Sequence, residues 1–277
     1  MILLRAVLAA AAAMFSCVTL ASCPAHSFAD PARMQIDADA LLVVVHPSSL
    51  YDSRVASKRG IDQAVRFSKD RRIPVVYLQD DAPLASYFVD DCEPTWWVES
   101  SGGEVRFDVG RARHLYVAGG HLELCMSTAL HEILLQWSRK PVANLRVTYF
   151  MDAVYSNGKA IDPGDPFYGD FGRFLSIVTY GRPGGEHWPK LTLLETMGII
   201  RKEEHELDYF RQILPRWDRT FGPQVRVEVR LNNSVSKVLR PAPGWNPPTL
   251  TFHFVNSAFD LGAFGCQRTS QFGACVE

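Results

Sequence analysis

VAGGHLELCMSTALHE, residues 117–132, joins a β-type run to a helical one through two glycines, and a cysteine stands where the helical pattern begins. The reading of this stretch decides the fold. Strand, tight glycine turn and helix in immediate succession form the unit from which parallel α/β sheets are built. A cysteine at a helix N-terminus has its thiolate stabilised by the helix dipole and by free backbone N–H groups, and a glycine pair lets backbone come close to a reacting oxyanion. Cys125 is therefore a candidate nucleophile, with Gly119, Gly120 and His121 as the turn that would serve an oxyanion. The competing reading is a small thiol packed where a helix begins, since free cysteines are commonly buried.

The same alternation extends in both directions. ALLVVVH at 40–46 is a continuous β-branched run, the type buried on both faces of a parallel sheet. A helical pattern at 53–70 carries Val55, Ile61, Val65 and Phe67 among Arg and Lys, and RIPVVYL at 72–78 gives a second strand. After the polar and aromatic stretch DDCEPTWWVESSGG, the third strand is ARHLYVAGG, followed by the helix LELCMSTALHEILLQWSRK and the strand NLRVTYFMDA at 144–153. A Gly-, Pro- and Asp-rich loop at about 156–185, interrupted by FLSIVTYG, is too long for a simple connection and reads as an insertion. EHWPKLTLLETMGIIRKEE then reads as a further helix and strand that complete the sheet. The expected fold is a three-layer αβα sandwich with a mostly parallel sheet over 38–206, and a C-terminal extension over 207–277 whose runs QVRVEVRL and TLTFHFV suggest an antiparallel hairpin.

The chain has 277 residues, 47% hydrophobic and 21% charged, with 29 basic against 30 acidic side chains and no long block of either sign. That balance argues against nucleic acid and against an acidic membrane surface, and leaves a small-molecule ligand or substrate as the expected partner. Residues 1–22 read as a signal peptide: MILLR is a basic n-region and AVLAAAAAMFSCVTL an apolar h-region. LASC at 20–23 resembles a bacterial lipobox, which implies a lipid on Cys23, while Ser27, Phe28 and Ala29 offer an ordinary cleavage site. The protein is thus expected to be exported, either periplasmic or a lipoprotein that meets the membrane only through its anchor. An oxidising compartment permits disulfides, and the close pair Cys266 and Cys275 in GCQRTSQFGAC most simply closes one. Cys92 and Cys125 are then free or paired with each other. No CxxC or HxxxH spacing occurs, so no metal and no cofactor are expected.

Ligands of a doubly wound sheet sit outside the carboxyl ends of its strands. That rule gathers His46, Asp80, Asp81, the 119–125 turn and Asp152 on one rim. At these residues the chain resembles the isochorismatase-like cysteine hydrolase superfamily, which includes nicotinamidases. AGGHLELC matches the family's run from an Ala-Gly pair to its nucleophilic cysteine, VTYFMDAVYS is similar to its strand ending in Asp-Ala, and EHWPKLTLLETMGII to its last helix and strand. The resemblance spans roughly 40–206. It implies a nucleophilic Cys125, working in the family with an Asp base at the end of the first strand and a Lys, through a thioester. Here His46 stands where that Asp is expected, the nearest carboxylate being Asp52, and no lysine lies between Lys69 and Lys140.

These departures leave three readings. The first is an isochorismatase-like protein with an incomplete Asp-Lys-Cys triad that binds a ligand or hydrolyses slowly. The second is an active hydrolase of amides or esters using Cys125 and His46, a Cys–His pair being a known mode of activation. The third is an envelope interaction protein that holds a partner through the tail hairpin and Trp96 with Trp97. The two tryptophans are also candidates for an apolar lid on a pocket. Arg106, Arg111 and Arg113 could replace the positive charge of the missing Lys but not its proton transfer. Asp80 and Asp81 follow the second strand where nicotinamidases hold a metal, yet QDDAPLASYF has no His. Asp152 is expected to order the turn that follows it. The family's habit of assembling leaves a homo-oligomer open.

Overall fold

A computed structural model describes residues 28–51, 55–80, 95–122, 124–139, 144–155, 224–231 and 235–264, together with residue 222 and two short strand pairs at 179–180 with 190–191 and 267–268 with 275–276. The expected βαβ units are present: β1 (Ala40–Val45), α1 (Val55–Asp70), β2 (Val75–Gln79), β4 (His114–Gly119), α2 (Cys125–Arg139) and β5 (Leu145–Val154). A strand that the sequence pattern did not single out, β3 (Trp96–Glu99), lies between β2 and β4 in the chain. The sheet is completed by β8 (Arg226–Leu231), β9 (Val235–Arg240) and β10 (Thr249–Val255), after the two-residue strands β6 (Thr179–Tyr180) and β7 (Lys190–Leu191).

The main sheet has eight strands in the order β3-β2-β1-β4-β5-β10-β8-β9. Every neighbouring pair from β3 to β8 is parallel, and only β9 runs antiparallel, to β8 at the edge. The period-2 alternation of a strand divides β1 between two cores. Leu41, Val43 and Val45 face Met126, Leu130, Ile133 and Leu134 of α2, while Leu42 and Val44 face Ile61, Ala64 and Val65 of α1. Ala258 of the short helix α3 (Ala258–Phe264) joins the α1 side. Helices therefore cover both faces of the sheet, as a β-branched run buried throughout requires. This is the expected three-layer αβα sandwich.

Several expectations are corrected. A hairpin exists in the C-terminal part, but QVRVEVRL pairs antiparallel with β9, whereas TLTFHFV lies parallel between β5 and β8. The 207–277 segment thus places a strand inside the main sheet. TLTFHFV is buried from Leu250 to Val255, and a strand covered on both faces is stable only inside a sheet. Of the segment read as a last helix and strand, the described part, Lys190–Leu191, is extended and pairs antiparallel with Thr179–Tyr180, where a β-branched and an aromatic residue favour that backbone. At the C-terminus β11 (Gln267–Arg268) pairs antiparallel with β12 (Cys275–Val276), while Cys266 lies outside the described residues, as do Cys23, Cys92 and the signal segment. No helix among the described residues is long and apolar enough to cross a membrane.

Candidate functional site

From β1 the sheet grows one way through β2 and β3 and the other way through β4, β5 and β10, so the β1/β4 boundary is a topological switch point. A crevice opens outside the carboxyl ends of the strands at such a point. His46 leaves β1 there and the 119–125 turn leaves β4.

His46 is 1% exposed and adopts φ 43°, a left-handed conformation more readily adopted by His than by most side chains. Its N–H donates to Leu78 O (2.9 Å) and its carbonyl accepts from Ser48 N (2.7 Å) and from the Tyr155 hydroxyl. The ring Nε2 lies 2.7 Å from Ser100 O. A carbonyl only accepts, so Nε2 carries the proton and donates. The ring is thereby held by the loop that follows β3.

The glycines of the turn answer to packing. Gly119 has φ 89°, and a Cβ there would stand 2.0 Å from Val45 O. At Gly120 it would stand 2.5 Å from Cδ2 of Tyr155. The Gly120–His121 peptide is cis. His121 O accepts from Leu124 N (3.0 Å) and Met126 N (3.1 Å), tying the turn to the start of α2. The His121 ring sits edge-on between Tyr51 (5.7 Å) and Tyr155 (5.4 Å). Tyr51 also lies 5.9 Å from the His46 ring, and its hydroxyl donates to Asp80 Oδ2. His46, Tyr51, Asp80, His121 and Tyr155 thus form one cluster at the switch point.

Cys125 is the first residue of α2 and is half-buried. The loop after β3 covers it so closely that a Cβ on Gly103 would meet Cys125 O at 2.1 Å. Burial pushes the thiol up from its ordinary value; the Cys125 and His121 N–H groups oppose this, while the negative charges of Asp80 and Glu104 add to it. Glu104 keeps its charge because the Gly102 N–H (2.9 Å) holds its carboxyl below the usual range, helped by the Ser100 hydroxyl at 3.1 Å. Among the described residues, the charged side chains acting on the sulfur are both carboxylates. A helix N-terminus alone would lower the thiol pKa; here desolvation and like charge outweigh it.

The other candidates fall elsewhere. Trp96 and Trp97 do not overhang the site: they lie in β3, where Trp97 is 8% exposed and packs edge-on against Tyr77 at 4.8 Å. Arg111 pairs with Asp37 (3.2 Å) and Asp39 (3.5 Å) just before β1, and Arg113 precedes β4, so both are on the opposite rim. Arg106 acts on Glu104. Asp152 does not order its turn through Oδ1, which is buried without a hydrogen-bond partner, and burial raises its carboxyl to about 6. Asp81 lies outside the described residues. No group of three or more His, Cys, Asp and Glu side chains among the described residues could hold a metal ion. Tyr51, Ser100, Glu104 and Tyr155 belong to the site without having been singled out. Tyr155 directly follows β5 and obeys the strand-end rule, whereas Ser100 and Glu104 follow a strand hidden by its short length.

No family model and no curated protein matches the chain. Solved structures to which it is similar include a candidate isochorismatase from Burkholderia xenovorans LB400, 18% identical over 52% of this chain and 81% of that one, with TM-score 0.37. An isochorismatase family protein is 12% identical over 41% of this chain and 80% of its own, with TM-score 0.29. A ribonuclease from Caenorhabditis elegans is 14% identical over 46% of this chain and 67% of its own, with TM-score 0.30.

Proposed function

We propose that the chain is an isochorismatase-like protein that uses the crevice at the β1/β4 boundary to hold a small neutral or cationic molecule and does not turn it over efficiently. The observation that carries this reading is the environment of Cys125. A cysteine nucleophile needs a lowered pKa or an adjacent base. The Cys125 thiol is instead desolvated beneath the 100–104 loop and faced by Asp80 and Glu104. In a Cys125/His46 hydrolase the base would have to be His46 Nδ1, since Nε2 donates to the Ser100 carbonyl. Two carboxylates acting at the sulfur, with Asp80 bonded to the Tyr51 hydroxyl, suit a ligand that donates hydrogen bonds or carries positive charge.

Alkylation by iodoacetamide, read at Cys125 by peptide mass spectrometry, tests the proposal. The expected result is slow labelling at pH 7, about tenfold or more below a free thiol, with a pH midpoint above the ordinary thiol value. Replacing both carboxylates, D80N with E104Q, should lower that midpoint. Rapid labelling at pH 7 that is lost in a folded H46A variant would overturn the reading in favour of the hydrolase.

Export is part of the proposal and rests on the MILLR n-region, the apolar run behind it and LASC at 20–23. Mass spectrometry of the mature N-terminus is expected to find a lipidated Cys23. A mature chain that starts at Asp30 would refute the anchor.

A further inference from the structure

At the rim opposite Cys125, where the strands begin, a cavity of about 720 Å³ is lined by residues from the starts of β4, β5, β8 and β10 and from the 242–247 turn. Arg113 and Arg146 both line it, and their backbones adjoin: Arg146 N donates to Arg113 O (2.9 Å) and Arg146 pairs with His114 in the sheet. The acidic groups of the same cavity have other partners: Asp39 pairs with Arg111, and within the cavity Glu228 pairs with Arg226 (3.5 Å) and accepts from the Thr251 hydroxyl (3.1 Å). Among the described residues neither Arg113 nor Arg146 has an ion pair, which leaves both guanidinium groups available to an anion. Between them His114 is held by Thr148 Oγ1 (2.9 Å) and Tyr116 OH (3.1 Å). Burial and the Arg146 charge drive it down to about 3, so it is neutral and adds no charge of its own to the cavity.

The turn above the cavity supplies a second, independent feature. PAPGWNPP, 241–248, has four prolines, with Gly244 and Asn246 in left-handed backbone. It is pinned at its end by Thr249 N to Asn144 Oδ1 (3.0 Å) and Arg226 N to Pro248 O (2.8 Å). This stiff turn holds Trp245 fully exposed, at 100%. An aromatic face carried on a stiff backbone turn is a ready stacking surface, and arginines match the oxygens of a phosphate or carboxylate.

We infer that this cavity binds a small molecule in which a phosphate or carboxylate is joined to a ring, the anion held by Arg113 and Arg146 and the ring laid on Trp245. The site is separate from the crevice at Cys125 and does not depend on its chemistry.

Phenyl phosphate, benzoate and inorganic phosphate titrated into the full-length protein by calorimetry test this, with iodide quenching of tryptophan fluorescence as the second readout. At least one ring-bearing anion is expected to bind about tenfold more tightly than inorganic phosphate and to shield a tryptophan from iodide. Which of the two binds better identifies the anion. Each contact to a charged group is worth about tenfold, so R113Q and R146Q should each weaken binding to that extent. W245A should abolish the preference for a ring, and W245F should retain most of it. All are surface positions, and near-UV circular dichroism checks their folds. The inference fails if neither ring-bearing anion binds, or if binding survives R113Q, R146Q and W245A unchanged, as it would on an unrelated face.

Discussion

At Asp152 burial and charge oppose each other. Its Oδ1 is buried without a hydrogen-bond partner, and desolvation, with Asp260 nearby, lifts the carboxyl from 3.8 to about 6. A folded-state pKa above the unfolded one means that the folded chain binds the proton more tightly. The stability this contributes is complete below about 3.8 and is lost as pH rises through about 6. Screening by the solvent that reaches the group reduces the effect to about 1–2 kcal/mol. D152N should remove that slope, so that urea unfolding at pH 7 shows a more stable variant while the two proteins converge near pH 4. At Cys125 the same desolvation sets reactivity. Its residue type and its place at a helix start are visible in AGGHLELC, but the Asp80 and Glu104 charges that face it come from segments that follow two other strands.

Helix α2 fixes the roof over that cysteine. Gln136 accepts from Val109 N (3.1 Å) and donates to Phe107 O (2.9 Å), and Glu132 accepts from Val105 N. Two side chains one turn apart on the helix thus hold the segment that leads away from the 100–104 loop. Q136A should leave buried backbone groups unsatisfied at a cost of about 1–3 kcal/mol and raise the alkylation rate of Cys125. An unchanged rate would mean that the loop holds its place without the helix. Helix α1 carries a contrasting constraint at Gly60, where a Cβ would lie 2.1 Å from Asp152 O. An alanine there gains roughly 0.5–1 kcal/mol of helix propensity, but it pushes α1 off the β5 backbone, and overpacking of this kind costs about 1–3 kcal/mol or more. G60A is expected to lower the melting temperature, although the same change at an exposed helical site would raise it.

For the molecule as a whole the decisive element is β10. It pairs with β5 from Leu250 to Val255 and with β8 from Thr249 to Phe254, so the C-terminal region closes the sheet instead of decorating it. A chain ending at Arg240 should lose cooperative thermal unfolding and near-UV circular dichroism. Retention of both would mean that the 40–155 units fold alone. β1, β2, β4 and β5 were legible because each is a buried apolar run bounded by helical periodicity, with bounds shifted by only a few residues. β3 was not, since WWVE is four residues set in polar sequence and becomes a strand through its register with Val76 to Gln79. The parallel pairing of TLTFHFV was hidden for a related reason: nearness in sequence to QVRVEVRL suggests a hairpin, while sheet order is set by which face each strand can bury.

The sequence by itself determined the kind of fold and the turn in which Cys125 stands, because β-branched runs, glycine turns and helical periodicity act over a few neighbouring residues. Tertiary structure alone decided what surrounds that thiol. Desolvation by the 100–104 loop, the carboxylates of Asp80 and Glu104 and the Ser100 carbonyl on His46 arise between segments distant in the chain. Electrostatics and burial depend on distances through space, and local sequence pattern does not encode them.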